Sequence, residues 1–210
     1  MHVYLDDNPY AVTNLPDKTL RQVAQEVREA LGPQGRMLVG LFTDGQLVPP
    51  ERIDATLDSP AERFERIDFQ SAVPQILARE VLTQARALVS EATPLCEQAG
   101  ELLSAGQTAR AMEMLGNCLG VWSQVQESMV KSVDMLGLDL TQVAVEGRSA
   151  EEMLNGFAEQ LRAVKEALEN RDYVQLSDIL QYELHDVAPR WEALLDRLLE
   201  LIKGNGPEVT

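Results

Sequence analysis

Residues that commonly carry metal and covalent chemistry are scarce in this sequence: 210 residues include two cysteines, Cys96 and Cys118, and two histidines, His2 and His185. Two cysteines cannot form a disulfide framework, and a four-ligand zinc site would need both histidines as well. Long apolar runs are also missing. None approaches the roughly 20 residues that span a bilayer, so no transmembrane helix and no membrane insertion are expected. The segment Met1 to Asp7 has neither a basic start nor an apolar stretch, which argues against a secretory signal and for the cytoplasm. Positive charge is short too: the formal net charge is −16. Residues 1–72 hold twelve acids against seven bases, and residues 73–210 hold twenty-two against eleven. Such a field repels phosphate, which excludes nucleic acid and anionic membrane surfaces as natural partners.

Catalytic motifs are equally few. There is no Gly-x-Ser-x-Gly, no phosphate-cradling glycine loop and no zincin helix. The paired Glu-x-x-His motifs of di-iron bundles are absent. His185 stands near Asp178, Tyr182, Glu183 and Asp186, but one imidazole leaves an incomplete ligand set. The expectation is a protein that is not an enzyme and needs no cofactor or metal.

What is present is pattern. His2–Leu5 alternates like a strand, Asp6-Asp7-Asn8-Pro9 has turn chemistry, and Tyr10–Thr13 can return as the second strand. Asp17 can cap a helix with Leu20, Val23, Ala24, Val27 and Leu31 on one face, ended by Gly32-Pro33. A strand at Met37–Phe42, a turn at Asp44-Gly45, a short strand Gln46–Val48 and a closing segment Phe64–Phe69 follow. The order is ββαββ or ββαβββ. That order, with the segment Leu41-Phe42-Thr43-Asp44-Gly45-Gln46-Leu47-Val48, resembles the ubiquitin-like β-grasp fold over about a third of the chain. The resemblance implies a rigid docking module at residues 1–72. Conjugation or sulfur carriage would need a free diglycine tail, whereas here Gln70-Ser71-Ala72-Val73-Pro74 continues into more protein.

From Val73 the period changes to three and four, predicting an all-α bundle of about four long antiparallel helices over 73–206 and a loose tail at 207–210. The first helix has its seam at 73, 77, 81, 85, 88, 92, 95, 99 and 102, passes Pro94 with a kink, and ends near Gly106. Cys96 and Cys118 stand 10 and 12 residues from that turn, so they should face each other across a helical hairpin as reduced thiols. The second helix, about 45 Å long, carries Met112, Leu115, Leu119, Trp122, Val125, Met129, Val133 and Leu136 and stops at Gly137. Residues 138–148 form a mixed connection over the end of the bundle. Ser149 and Glu152 make a capping box for the third helix, whose stripe is Met153, Phe157, Leu161, Val164 and Leu168. The fourth starts near Asp172, with a seam through Tyr173, Leu176, Leu180, Glu183, Val187, Trp191, Leu194, Leu198 and Leu201. An up-down bundle within one chain and extended hairpins that complete their core in a homodimer both fit these stripes.

On that seam Glu183 is the one ionisable residue, with Gln160 its expected neighbour and a register-fixing contact its expected role. Asp178, Tyr182 and His185 fall opposite the seam, and Pro189 should kink the helix beside Trp191. These five residues, Asp178, Tyr182, His185, Pro189 and Trp191, are the candidate partner-binding set. The functional expectation is a protein–protein interaction adaptor or scaffold. The alternative is an acidic cytoplasmic export chaperone of the bacterial flagellar or type III secretion kind, and a third reading is a small enzyme or metal carrier.

Overall fold

The computed structural model describes residues 1–184 and 186–204. The expected loose tail at 207–210 and His185 lie outside them. The protein is mixed α/β, with a small N-terminal sheet and a helical C-terminal region. It divides into two compact units, Met1–Leu77 and Ala78–Thr210, each with its own apolar core.

The first unit begins with β1 (His2–Leu5) and β2 (Asn8–Pro9). The connection is Asp6-Asp7 alone, both with positive φ (50° and 63°), as a two-residue hairpin turn requires. The returning strand therefore sits two residues earlier than Tyr10–Thr13. A 3₁₀ turn, Leu15–Asp17, precedes α1 (Leu20–Leu31). The cap is Thr19, which forms a full capping box with Gln22, so Asp17 does not cap. All five apolar residues read from the sequence as the face of α1 are buried. Then come β3 (Met37–Thr43), β4 (Gln46–Leu47), α2 (Pro50–Leu57) and β5 (Arg66–Ala72). The sheet order is β2-β1-β5-β3-β4, with β1 and β5 parallel and the other neighbours antiparallel. Val3, Leu41, Ile67 and Phe69 of the sheet share a core with α1.

Asp6 ties the first hairpin to the end of β5. Its carboxylate accepts from Ser71 N at 2.7 Å and Ser71 Oγ at 2.6 Å, and from the Arg36 guanidinium at 3.0 Å. Partial burial pushes this carboxyl up, but the Ser71 hydroxyl and N–H together with Arg36 outweigh it. Its pKa is held below the ordinary aspartate value.

The helical region consists of α3 (Pro74–Ser104), α4 (Thr108–Leu136), α5 (Ala150–Asn170), α6 (Tyr173–Asp178) and α7 (Val187–Gly204). A small hairpin, β6 (Ala144–Val145) and β7 (Arg148–Ser149), lies in the connection before α5, and Val143 beside it is buried. α3 passes Pro94 unbroken. Its buried stripe is Ala78, Leu82, Ala85, Val89, Ala92, Cys96, Ala99 and Leu103. That is a strict heptad with alanine every seventh residue; it shares Ala85, Ala92 and Ala99 with the expected seam, whose alternate positions at 81, 88, 95 and 102 lie one residue before the buried Leu82, Val89, Cys96 and Leu103. Leu88, Leu95 and Leu102 flank it half-buried. α4 alternates small and large residues likewise, with Ala111, Cys118 and Val125 between Leu115, Trp122 and Met129. Small residues let the backbones approach, and Cys96 and Cys118 have Cα atoms 5.8 Å apart. They face each other as their distances from Gly106 require. They are joined as a disulfide, however, and not left as two free thiols.

Cross-links between α3 and the C-terminal helices run in opposite sequence directions. Arg86 donates to Asp196 at 2.6 Å, Ser90 to Glu192 at 3.0 Å, and Ser177 Oγ to the Gly100 carbonyl at 2.9 Å. As the α3 number rises the partner's falls, so α6 and α7 lie antiparallel to α3. The core formed by these helices is continuous within one chain.

Candidate functional site

Where the sequence predicts one long fourth helix, the chain makes three pieces. α6 ends at Asp178, a π-helical segment covers Ile179–Glu183, and α7 starts at Val187. A π turn takes in an extra residue and rotates everything after it about the helix axis. Ile179 and Leu180 at its start are buried, and past the turn Leu184 is buried while Glu183 faces solvent. Glu183 is thus not on the core seam. Gln160 is its neighbour as expected, but the contact is from Gln160 Nε2 to the Glu183 backbone carbonyl at 3.4 Å. Pro189 does not kink a continuous helix. It is the third residue of α7, where a missing N–H costs no intrahelical bond.

The π segment is held by a close approach that the sequence reading missed. A Cβ on Gly100 would lie 2.6 Å from Gln181 Cγ, so glycine here makes room for the Gln181 side chain as it lies against α3. Around that point Ser104 Oγ and Ser177 Oγ are 2.9 Å apart, and Gln181 Nε2 donates to both hydroxyls at 3.4 and 3.3 Å. A buried glycine in the last turns of a long helix was the available signal.

Of the five candidate partner-binding residues, Asp178, Tyr182 and Pro189 are exposed, and Tyr182 is 66% exposed. His185 lies outside the described residues. Trp191 is 1% exposed, which removes it from the partner-facing surface. It packs in an aromatic triad, with ring centroids 4.9 Å apart for Trp122–Phe157, 5.3 Å for Phe157–Trp191 and 5.6 Å for Trp122–Trp191. The exposed set extends in the other direction. Tyr173 and Val174, at 37% and 76% exposure, join Tyr182. Three of the seven exposed large apolar side chains among the described residues therefore fall within residues 173–182. Val174, Asp178 and Tyr182 recur at every fourth position along one flank.

α5 and α7 border a cleft of about 410 Å³ that Glu183 of the π segment also lines. Phe157 and Trp191 contribute to its lining, together with Arg148, Glu159, Glu183 and Arg190. Among the described residues no three His, Cys, Asp or Glu side chains are grouped to hold a metal. No described helix is long and apolar enough to cross a membrane. What the region offers is an apolar, aromatic-bearing edge beside charged groups, the composition of a contact surface.

No curated protein and no solved structure gives a significant match to this sequence. No family match marks a ubiquitin-like domain. The family model that does match is described as a domain of unknown function, DUF8042; it covers residues 80–194, more than half of the 210-residue chain and nearly all of the helical region, and the chain belongs to that family.

Proposed function

We propose that this protein is a non-enzymatic adaptor that works through protein contacts, with a β-grasp docking module at its N-terminus and a partner-binding face on the helical unit. The observation that carries the reading is the cluster Tyr173, Val174 and Tyr182, exposed together on a short helix and the π segment that follows it. Soluble surfaces carry scattered apolar residues, but two tyrosines and a valine exposed within ten residues, with Val174 and Tyr182 at i and i+8, bring together the side-chain types of interface anchors. A π segment at this position adds weight, because such turns are frequent at functional sites. Support for the β-grasp part comes from the sheet order, with its first and last strands parallel at the centre and α1 sharing their core.

The test uses the full chain, tagged and purified from its native cell, beside a Val174→Glu/Tyr182→Glu variant. Both positions are exposed, so the variant should melt like the parent. A partner that co-purifies with the parent in fixed proportion and is lost from the variant supports the reading. Identical recoveries from the two would sink it.

A further inference from the structure

Three arginines of the first unit are matched by carboxylates: Arg21 pairs with Asp54 and Asp58, Arg36 with Asp6, and Arg66 with Asp68. Arg52 and Arg63 are not. Neither guanidinium has an ion pair or a hydrogen bond to another described residue. Both arginines line one cleft, between the β3–β4 hairpin, α2 and the 3₁₀ turn Ala61–Arg63. It measures about 300 Å³, at the lower end of the roughly 300–1,000 Å³ of small-molecule sites, and as a sphere it would be about 8 Å across.

The lining is one-sided in charge. Each charged residue in it is cationic, in a chain whose acids outnumber its bases by 34 to 18. Glu51 and Glu62 precede the two arginines in sequence, yet neither lines the cleft, as consecutive residues of a helical turn do not face the same way. The hydroxyls of Thr43 and Thr56 and the amide of Gln46 border it too, without a side-chain hydrogen-bond partner among the described residues. The Ser59 hydroxyl, by contrast, already donates to the Ala55 carbonyl at 3.1 Å. The rest of the wall is apolar and includes Leu47, which is 58% exposed, and the half-buried Phe64.

We propose that this cleft binds a phosphate monoester, with its phosphoryl group held by Arg52 and Arg63 and its organic body against Leu47 and Phe64. Each part of the ligand class answers an observation. Two unpaired guanidinium groups, each a planar fork of N–H donors, match the two negative charges and three oxygens of a phosphoryl group. A carboxylate carries one charge and would leave one arginine unmatched. The apolar wall asks for a body that inorganic phosphate lacks. The −16 charge opposes a polyanion laid along the surface, whereas a single phosphate meets mainly the charges within a Debye length, about 8 Å at physiological salt. The site lies in the first unit, so it stands or falls apart from the partner face at residues 173–182. A phosphate monoester can reach it as a free small molecule or as a phosphorylated side chain.

The probe is phenyl phosphate, titrated calorimetrically into the full chain at pH 8, where the ester carries two charges because its second pKa is about 6. Saturable binding is expected, several-fold tighter than that of inorganic phosphate. Phenyl sulfate, with the same body and one charge, should bind about ten-fold more weakly. Arg52→Gln and Arg63→Gln each remove a charge-assisted bond from an exposed position, and each should weaken phenyl phosphate at least about ten-fold. Arg28 is exposed on α1 outside the cleft, so Arg28→Gln should keep full affinity and separates the site from general charge. A blocked pentapeptide with a central phosphotyrosine distinguishes the sources. Binding as tight as phenyl phosphate or tighter points to a phosphorylated side chain, and weaker binding points to a free ester. The proposal is overturned by any of four results: no saturable binding of phenyl phosphate, equal affinity for phenyl sulfate, full affinity in either Arg52→Gln or Arg63→Gln, or an equal loss in Arg28→Gln.

Discussion

Gly100→Ala offers the sharpest test of how the π segment is held. In an ordinary helix interior, replacing glycine by alanine stabilises by about 0.5–1 kcal/mol, because glycine loses more backbone freedom on folding. Here the new methyl would lie 2.6 Å from Gln181 Cγ, 3.1 Å from Nε2 and 3.3 Å from Cδ. Cγ is close to the Gln181 backbone and cannot leave without a change of χ1, which also withdraws the amide from Ser104 and Ser177. Overpacking of this kind costs about 1–3 kcal/mol, so it outweighs the propensity gain. The net expectation is a loss of about 1–2 kcal/mol, or about 3–6 °C in Tm for a unit of this size. Both tryptophans lie in the second unit, so tryptophan fluorescence follows its unfolding without signal from the first. The double variant Gly100→Ala/Gln181→Ala should recover the loss, because the methyl then meets no long side chain. A Gly100→Ala protein as stable as the parent, or a cost that persists after Gln181→Ala, would refute the close-packing argument.

At Gly120, in α4, an added Cβ meets nothing within 4 Å, so Gly120→Ala should raise stability by about 0.5–1 kcal/mol in the same fluorescence melt. Reduction of the Cys96–Cys118 link, which spans 22 residues, should lower stability by up to about 3 kcal/mol on loop entropy, and a Cys96→Ala/Cys118→Ala protein should melt identically with and without reductant. Asp6 has a lowered folded pKa, so its contribution is complete above the unfolded value of about 3.9 and is lost as pH falls through the lower folded value. Asp6→Asn should therefore weaken the first unit by about 1 kcal/mol at pH 7, discounted for partial exposure, with the difference closing below about pH 4 in far-ultraviolet circular dichroism melts. Glu183→Leu should change stability by less than about 0.5 kcal/mol, since Glu183 is exposed; a large gain in urea midpoint would return it to the core.

Local chemistry determined much of the architecture. The face of α1 is legible because one helix packs one side and its five apolar residues have no rival stripe. Gly106 and Gly137 end α3 and α4 with positive φ, and the Ser149–Glu152 capping box opens α5, because these signals act within a few residues of themselves. The first hairpin was displaced because two aspartates took the left-handed turn geometry more often filled by asparagine or glycine. On α3 the seam read from the sequence holds Ala85, Ala92 and Ala99, which are buried, but its larger members at 81, 88, 95 and 102 stand one residue before the buried positions 82, 89, 96 and 103. A helix touched by both α4 and the C-terminal helices buries a broad face, and its closest line is the one with alanines.

The candidate site was decided by tertiary structure. Periodicity alone carries Glu183 into the seam, because nothing local announces the extra residue of a π turn; that turn forms where Gly100 makes room for the Gln181 side chain and where Ser104 and Ser177 supply bonding partners from distant points in the chain. The sequence places Trp191 both on the seam and among the partner-binding candidates, and the packing of Trp122 and Phe157 against it decides for the core. Sequence specifies interactions over three or four residues, and those hold wherever the segment ends up. Which side of a helix is buried and which cysteines meet depend on neighbours many residues away, and only the packed chain decides them.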